Sequence, residues 1–274
     1  MASNPDYIGS FQSKLNKITK GFLKDGYQVK IGCCGFPVSK VKYFEAFKVV
    51  ELQQTFYQPP ENRLIEKWLE ESPSDFEYTL KAWQLITHEP KSPTYRKLKI
   101  KIHTSKKKNY GFFKHTDEVF SAWERTREIA EILDARIIVF QCPPSFRPTK
   151  ENKQNLEKFF SSIKRKRFIL AWEPRGEWAG KEIKAICKEL DLVHVVDPFQ
   201  AVTTYGMIRY YRLHGIGGYR YKYTKEDLAR LKKLAEEESG STKSSQGNSI
   251  AVYFMFNNVY MYEDALSFKR LFEK

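Results

Sequence analysis

The chain reads as an α/β protein folded as a single (β/α)8 barrel of the TIM type. Three observations predict this. Eight short apolar runs each finish in polar or glycine-rich residues, at 32–35, 55–57, 81–83, 141–143, 173–175, 197–198, 212–215 and 257–258. Stretches with helical spacing separate most of these runs, the alternation from which parallel sheets are built. The length of 274 residues suits one barrel of about 250 residues, and no shift in composition marks a second domain. Active sites in such barrels form at the C-terminal ends of the strands. The polar run ends therefore locate a site without naming its reaction.

The elements follow in order. Residues 1–27 read as a helical extension, because Ile8, Phe11, Leu15, Ile18, Phe22 and Leu23 fall at helical spacing, with the helix itself at 9–24. The first strand is 28–33 and the second 49–56, followed by a helix at 63–71. The third strand is 76–83. Residues 87–118 form a basic excursion, in which Arg96, Lys97, Lys99, Lys101, Lys106, Lys107, Lys108 and Lys114 interleave with Tyr95, Ile100, Ile102 and Tyr110. Charged and apolar residues alternate over 97–103, which predicts an extended ribbon. A helix at 117–133 leads to strand four at 135–142, and a helix at 150–163 to strand five at 167–172. A helix at 181–190 precedes strand six at 192–197. Strand seven is 207–214 and its helix 225–238. The stretch 239–249, rich in Ser, Gly and Thr, predicts a mobile loop. Strand eight is 250–257, and a last helix closes the chain. The rival architecture, an open doubly wound sheet, lacks its dinucleotide and P-loop signatures.

Composition narrows the partners. Lys and Arg number 47 against 33 Asp and Glu, a net charge of +14. That balance favours anionic or nucleic-acid partners, or else reflects scattered surface lysines. Four cysteines in no metal-binding spacing read as reduced thiols of a cytoplasmic protein. No apolar run reaches the roughly 20 residues of a membrane span.

Strand parity assigns the polar side chains. One side of each barrel strand faces the helices and must be apolar; the other faces inward. Leu52 and Phe56 oppose Glu51, Gln53 and Thr55, while Tyr78, Leu80 and Ala82 oppose Thr79, Lys81 and Trp83. Arg212 and His214 oppose Tyr211 and Leu213. An unpaired polar group packed against a helix costs roughly 2–7 kcal/mol. An unusually polar upper barrel follows, containing Glu51, Lys81, Gln141, Glu173, Arg212, His214 and Asn257, with its charges paired to each other or to a ligand.

Several blocks carry a family resemblance: Ile31-Gly32-Cys33-Cys34-Gly35-Phe36, Val50-Glu51 with Thr55-Phe56-Tyr57, Lys81-Ala82-Trp83 with Thr87-His88, and Phe140 through Phe146. Trp172-Glu173-Pro174-Arg175 with Trp178, Asp197-Pro198, Arg212-Leu213-His214-Gly215 with Tyr219 and Tyr223, and Phe256-Asn257-Asn258 complete the set. From Ile31 onward the chain resembles the YecE-like family, catalogued as domain of unknown function 72. The resemblance implies a TIM-type barrel and supplies no activity. Its fold is similar to the endonuclease IV and sugar isomerase barrels, which implies a nucleic acid or sugar phosphate as substrate. The chain departs from the family at Cys33-Cys34 and in a longer basic excursion.

Each candidate has two readings. Glu51 and Lys81 form an acid–base pair or a buried ion pair between neighbouring strands. Glu173 is a general base, with Arg175 clamping an anion, or the two bridge to organise a loop. Arg212, His214 and the turn at Gly215, Gly217 and Gly218 bind phosphate through guanidinium and backbone N–H groups, with His214 moving a proton, or form a tight turn. Asn257 and Asn258 complete the pocket or cap the last helix. Tyr57, Trp83, His88, Gln141, Asp197 and Tyr219 line the pocket. Glu173, Asp197, His214 and His88 are residue types that a divalent metal uses, without a supporting spacing. Lys106, Lys107 and Lys108 track a nucleic-acid backbone, with Tyr95 and Tyr110 stacking on bases, or simply stay solvated. The leading reading is an enzyme, a hydrolase or isomerase, acting on a phosphate-bearing anion at the barrel mouth. The alternatives are a nucleic-acid-binding protein and a non-catalytic small-molecule sensor.

Overall fold

The computed structural model describes residues 22–24, 27–241 and 251–273. Eight parallel strands follow one another round a closed barrel: β2 (Tyr27–Cys34), β3 (Val49–Leu52), β4 (Glu77–Lys81), β5 (Ile137–Gln141), β6 (Ile169–Glu173), β7 (Val193–Val196), β8 (Arg209–Leu213) and β9 (Ala251–Phe256). The ring closes where β9 pairs with β2, from Gln28 opposite Ala251 to Cys33 opposite Phe256. A further strand, β1 (Phe22–Lys24), runs antiparallel to the start of β2.

Helices fill most crossovers. α1 (Lys40–Ala46) follows β2, and α2 (Gln54–Tyr57) and α3 (Asn62–Glu71) follow β3. α4 (Gln84–Thr87) and α5 (Asp117–Ile132) flank the excursion after β4. α6 (Lys150–Ser162), α7 (Gly180–Glu189), α8 (Lys225–Ser241) and α9 (Met261–Lys269) follow β5, β6, β8 and β9. The connection from β7 to β8, residues 197–208, is described throughout and contains no helix. Local chemistry starts the longer helices where they start. The Thr116 and Thr149 side chains accept from Val119 N and Asn152 N, capping α5 and α6; such caps stabilise a helix by about 1 kcal/mol.

Parity sorts the side chains as the alternation requires. Leu52, Tyr78, Leu80, Phe140, Trp172, Tyr211 and Leu213 pack outward into the layer beneath the helices. Val49, Ile137, Val139, Ala171, Val193, Val195, Tyr210 and Met255 form a separate inner cluster. This inner plug is closed below by Lys30, which is ion-paired to Glu77, whose other oxygen takes the Tyr253 hydroxyl at 2.7 Å. The polar mouth therefore stands on an apolar floor.

Several expectations are corrected. The ribbon at 97–103 is absent: Pro93–Lys97 and Thr104–Asn109 are 3-10 turns, and no strand forms between them. A ribbon needs a partner, and β4, which leads into the excursion, is already paired on both sides. Instead Tyr95, Leu98 and Ile102 pack against the core, while Ile100 is exposed. Of the helix expected at 9–24, residues 9–21 lie outside the described residues, and Phe22–Lys24 is a strand. The second barrel strand stops at Leu52, because the chain turns into α2; Thr55 is therefore helical, its hydroxyl donating to Leu52 O and Lys81 O at 2.9 and 2.7 Å. α8 extends to Ser241, into the expected loop, and residues 242–249 lie outside the described residues. The short helices α1, α2 and α4 carry no periodicity long enough to read.

Candidate active site at the barrel mouth

Glu51, Lys81, Gln141, Glu173, Asp197, Arg212, His214 and Asn257 stand at or just beyond the C-terminal ends of seven strands. Arg212 holds this group together. It is 0% exposed, and from β8 it reaches carboxylates on β3 and β6. Its Nε and Nη2 donate to the two Glu51 oxygens at 3.0 and 2.9 Å, the bidentate geometry that suits a guanidinium. Its Nη1 donates to Glu173 Oε2. Glu51 also accepts from Gln53 Nε2 and from the Tyr210 hydroxyl at 3.0 Å, and that hydroxyl lies 2.8 Å from Thr79 Oγ1. Burial disfavours a charged Arg212, but Glu173 and Glu51 outweigh it and hold the guanidinium firmly protonated.

The network continues to the rim. Glu173 Oε1 accepts from Arg175 Nε at 2.8 Å and from Gln141 Nε2 at 3.4 Å. Burial opposes its charge, yet Arg212 and Arg175 hold its carboxyl well below the usual carboxylate range. Arg175 Nη2 donates to His214 Nε2. A guanidinium has no lone pair to offer, so that nitrogen accepts and the ring proton sits on Nδ1, 3.5 Å from Asp197 Oδ2. Asp197 is anchored in turn by the amides of His214 and Phe199 at 2.9 and 3.0 Å.

Lys81 is the exception. Its side chain is buried, 6% exposed, with Nζ 3.6 Å from the centroid of the Phe56 ring. No carboxylate oxygen lies within 4.0 Å of it among the described residues. The expected Glu51–Lys81 pair is therefore a Glu51–Arg212 pair: Arg212 reaches both oxygens and leaves the lysine without a partner. Burial and the neighbouring Arg212 push Lys81 down to about 7, against the pull of Glu173 and Glu51. His88, 7% exposed, is pushed down to about 3 by burial, Lys81 and Arg175, and so stays uncharged. It borders a groove of about 500 Å³ between residues 89–94 of the excursion and Pro143–Ser145 after β5.

Other candidates fall elsewhere. Gly215 N donates to the Tyr223 hydroxyl at 2.8 Å and Gly218 N to Gly215 O at 3.3 Å. With His214 N on Asp197, three amides that an anion would need are already engaged. Gly215 serves the turn: its φ is +92°, and a Cβ there would stand 2.3 Å from Gly218 O. Asn258 is buried, donating to Tyr221 O and Asp264, whereas Asn257 has no side-chain hydrogen bond among the described residues. Gly217, Gly218 and Tyr219 are exposed. Tyr57 lies under Lys97, whose Nζ is 4.2 Å from the ring centroid. The Trp83 indole N–H is buried without a partner. Lys106, on the second 3-10 turn, pairs with Glu118 at 3.1 Å, beside the exposed Lys107 and Lys108. Cys33, Cys34, Cys142 and Cys187 are free and buried, and burial pushes their thiols up. Among the described residues no three His, Cys, Asp or Glu side chains are placed to hold a metal ion, and no helix is long and apolar enough to cross a membrane. Tyr210, Gln53 and Phe56 were missed as site residues; the parity that selects Arg212 also selects Tyr210.

Fold and site together define a TIM-type barrel protein with a buried, charge-paired mouth. The family model for a protein of unknown function, DUF72, matches residues 41–274, and the chain belongs to that family. A DUF72 family protein from Thermotoga maritima is 23% identical, with 90% of this chain and 99% of that one covered, at a TM-score of 0.65. One from Enterococcus faecalis is 19% identical, with 92% and 100% covered, at 0.67. A remoter likeness, to endonuclease IV from Thermus thermophilus, is 12% identical over 90% and 97% of the chains, at 0.45. No curated protein matches the chain.

Proposed function

We propose that the protein is an enzyme acting on an anionic, phosphate-bearing substrate at the mouth of the barrel, with Lys81 at the reacting centre. The observation that carries this reading is the buried Lys81 amine, which has no carboxylate partner while both nearby carboxylates are committed to arginines. A lysine whose pKa lies near 7 exchanges a proton at neutral pH, as general acid–base catalysis requires. Glu173 is too firmly ionised to serve as an acid, so its part is to hold Arg175 and Arg212. Arg212 is enclosed, which leaves Arg175, with 35% of its side chain exposed, as the cation that meets the substrate anion. His214, oriented between Asp197 and Arg175, carries a second proton.

Inorganic phosphate and small sugar phosphates titrated by calorimetry test the anion site. Arg175→Ala should weaken binding about tenfold or more, the loss of one charge-assisted hydrogen bond. Equal affinity in the variant would remove Arg175 from the site and the reading with it.

A nucleic-acid-binding role is favoured by one observation, the exposed lysines of the excursion. Lys107 and Lys108 carry that reading, since Lys106 is already paired.

A further inference from the structure

We propose that Lys81 is a covalent nucleophile whose amine forms an imine with an aldehyde or ketone carried by the anionic substrate. This rests on the reading above and names the group that reacts. Among the described residues two lysines point into this barrel, and the fold treats them differently. Lys30 at the bottom has a dedicated carboxylate, Glu77, itself held by the Tyr253 hydroxyl. Lys81 at the mouth has none within 4.0 Å among the described residues, because Arg212 and Arg175 occupy the carboxylates nearest to it. The Phe56 ring face, 3.6 Å from Nζ, and the enclosing barrel wall keep water away from the amine. A lysine desolvated in this way beside another cation is the activated form of that nucleophile. Geometry and charge agree, since burial and Arg212 together favour the unprotonated amine.

The chemistry balances without a further reactant. The nitrogen lone pair attacks the carbonyl carbon, and the C=O π pair moves to oxygen. The two protons that the amine gives up leave with that oxygen as water, and a C=N bond replaces C=O. Protonation of the imine then places a positive charge over the Phe56 ring, where the ring quadrupole stabilises it. Arg175 at the rim holds the phosphate while the carbonyl reaches down to Lys81.

The test uses glycolaldehyde phosphate, an aldehyde and a phosphate in one small molecule, with borohydride reduction and peptide mass mapping of the whole protein. The expected result is one dominant reduced adduct, on Lys81, formed at neutral pH, whereas an ordinary lysine reacts freely only near its pKa of about 10.4. Inorganic phosphate should suppress it, and Lys81→Met, which removes the amine from a side chain of similar length, should abolish it. Label spread over exposed lysines such as Lys97 and Lys107, with Lys81 unmodified, overturns the proposal. Phosphate binding measured on the same sample separates the two ideas. Arg175-dependent binding without an adduct removes only the covalent step; absence of both removes the anion site as well.

Discussion

Arg212 sits with one positive charge between two carboxylates, sealed from solvent at 0% exposure. Removing it leaves Glu51 buried without a counterion and Glu173 with Arg175 alone. Arg212→Met should cost about 3–5 kcal/mol in urea unfolding. Adding Glu51→Gln and Glu173→Gln should restore most of that loss, because no buried carboxylate is then left unpaired; Arg175, which loses Glu173, has 35% of its side chain exposed and stays solvated. A triple variant as unstable as the single one would show that the network contributes through packing. Lys81 gives a different signature. Its folded pKa, about 7, lies below its unfolded one, so between them the unfolded chain binds more protons. Stability must rise with pH through that window, by at most about 1.4 kcal/mol per pH unit. The difference in unfolding free energy between the protein and Lys81→Met should move in the protein's favour from pH 7 to 10; a flat difference would mean a lysine that stays charged. These residue types were legible from parity, but the choice of partner was not. Sequence spacing does not reveal that Arg212 reaches across the barrel to Glu51.

The excursion between β4 and α5 is the element that shapes the groove beside His88. Its return segment is pinned to α4, with Gly111 N on Leu85 O at 2.9 Å and Phe113 N on Ile86 O at 2.9 Å. Phe113 then inserts among Phe140, Phe146, Phe159 and Phe160. Gly111 has φ +80°, and a Cβ there would meet the His88 backbone at 2.5 Å. Gly111→Ala should therefore destabilise by at least ~1–3 kcal/mol. It should also raise hydrogen exchange at residues 85–113 ahead of the barrel strands; uniform protection would place the excursion outside the site's support. The alternation at 97–103 misled because period 2 reports only that every second residue is apolar. Whether a partner strand exists is decided elsewhere, and here β4 is already paired on both sides.

At the scale of the whole molecule, the +14 charge predicts weak, sequence-independent binding to polyanions. Affinity for a single-stranded oligonucleotide should fall steeply with salt. Neutralising Lys106, Lys107 and Lys108 should reduce the slope of log affinity against log salt by up to about 2, less if the Lys106–Glu118 pair persists. An unchanged slope would locate the contacts elsewhere on the surface. The order of the strands, the inward parity and the gathering of polar side chains at the strand ends were determined by the sequence alone, because periodicity and alternation are local properties of the chain. Only the tertiary structure decided which charges meet. Barrel closure brings β3, β6 and β8 within reach of one guanidinium, and low-dielectric burial then sets which carboxylates are neutralised and which amine stands without a partner.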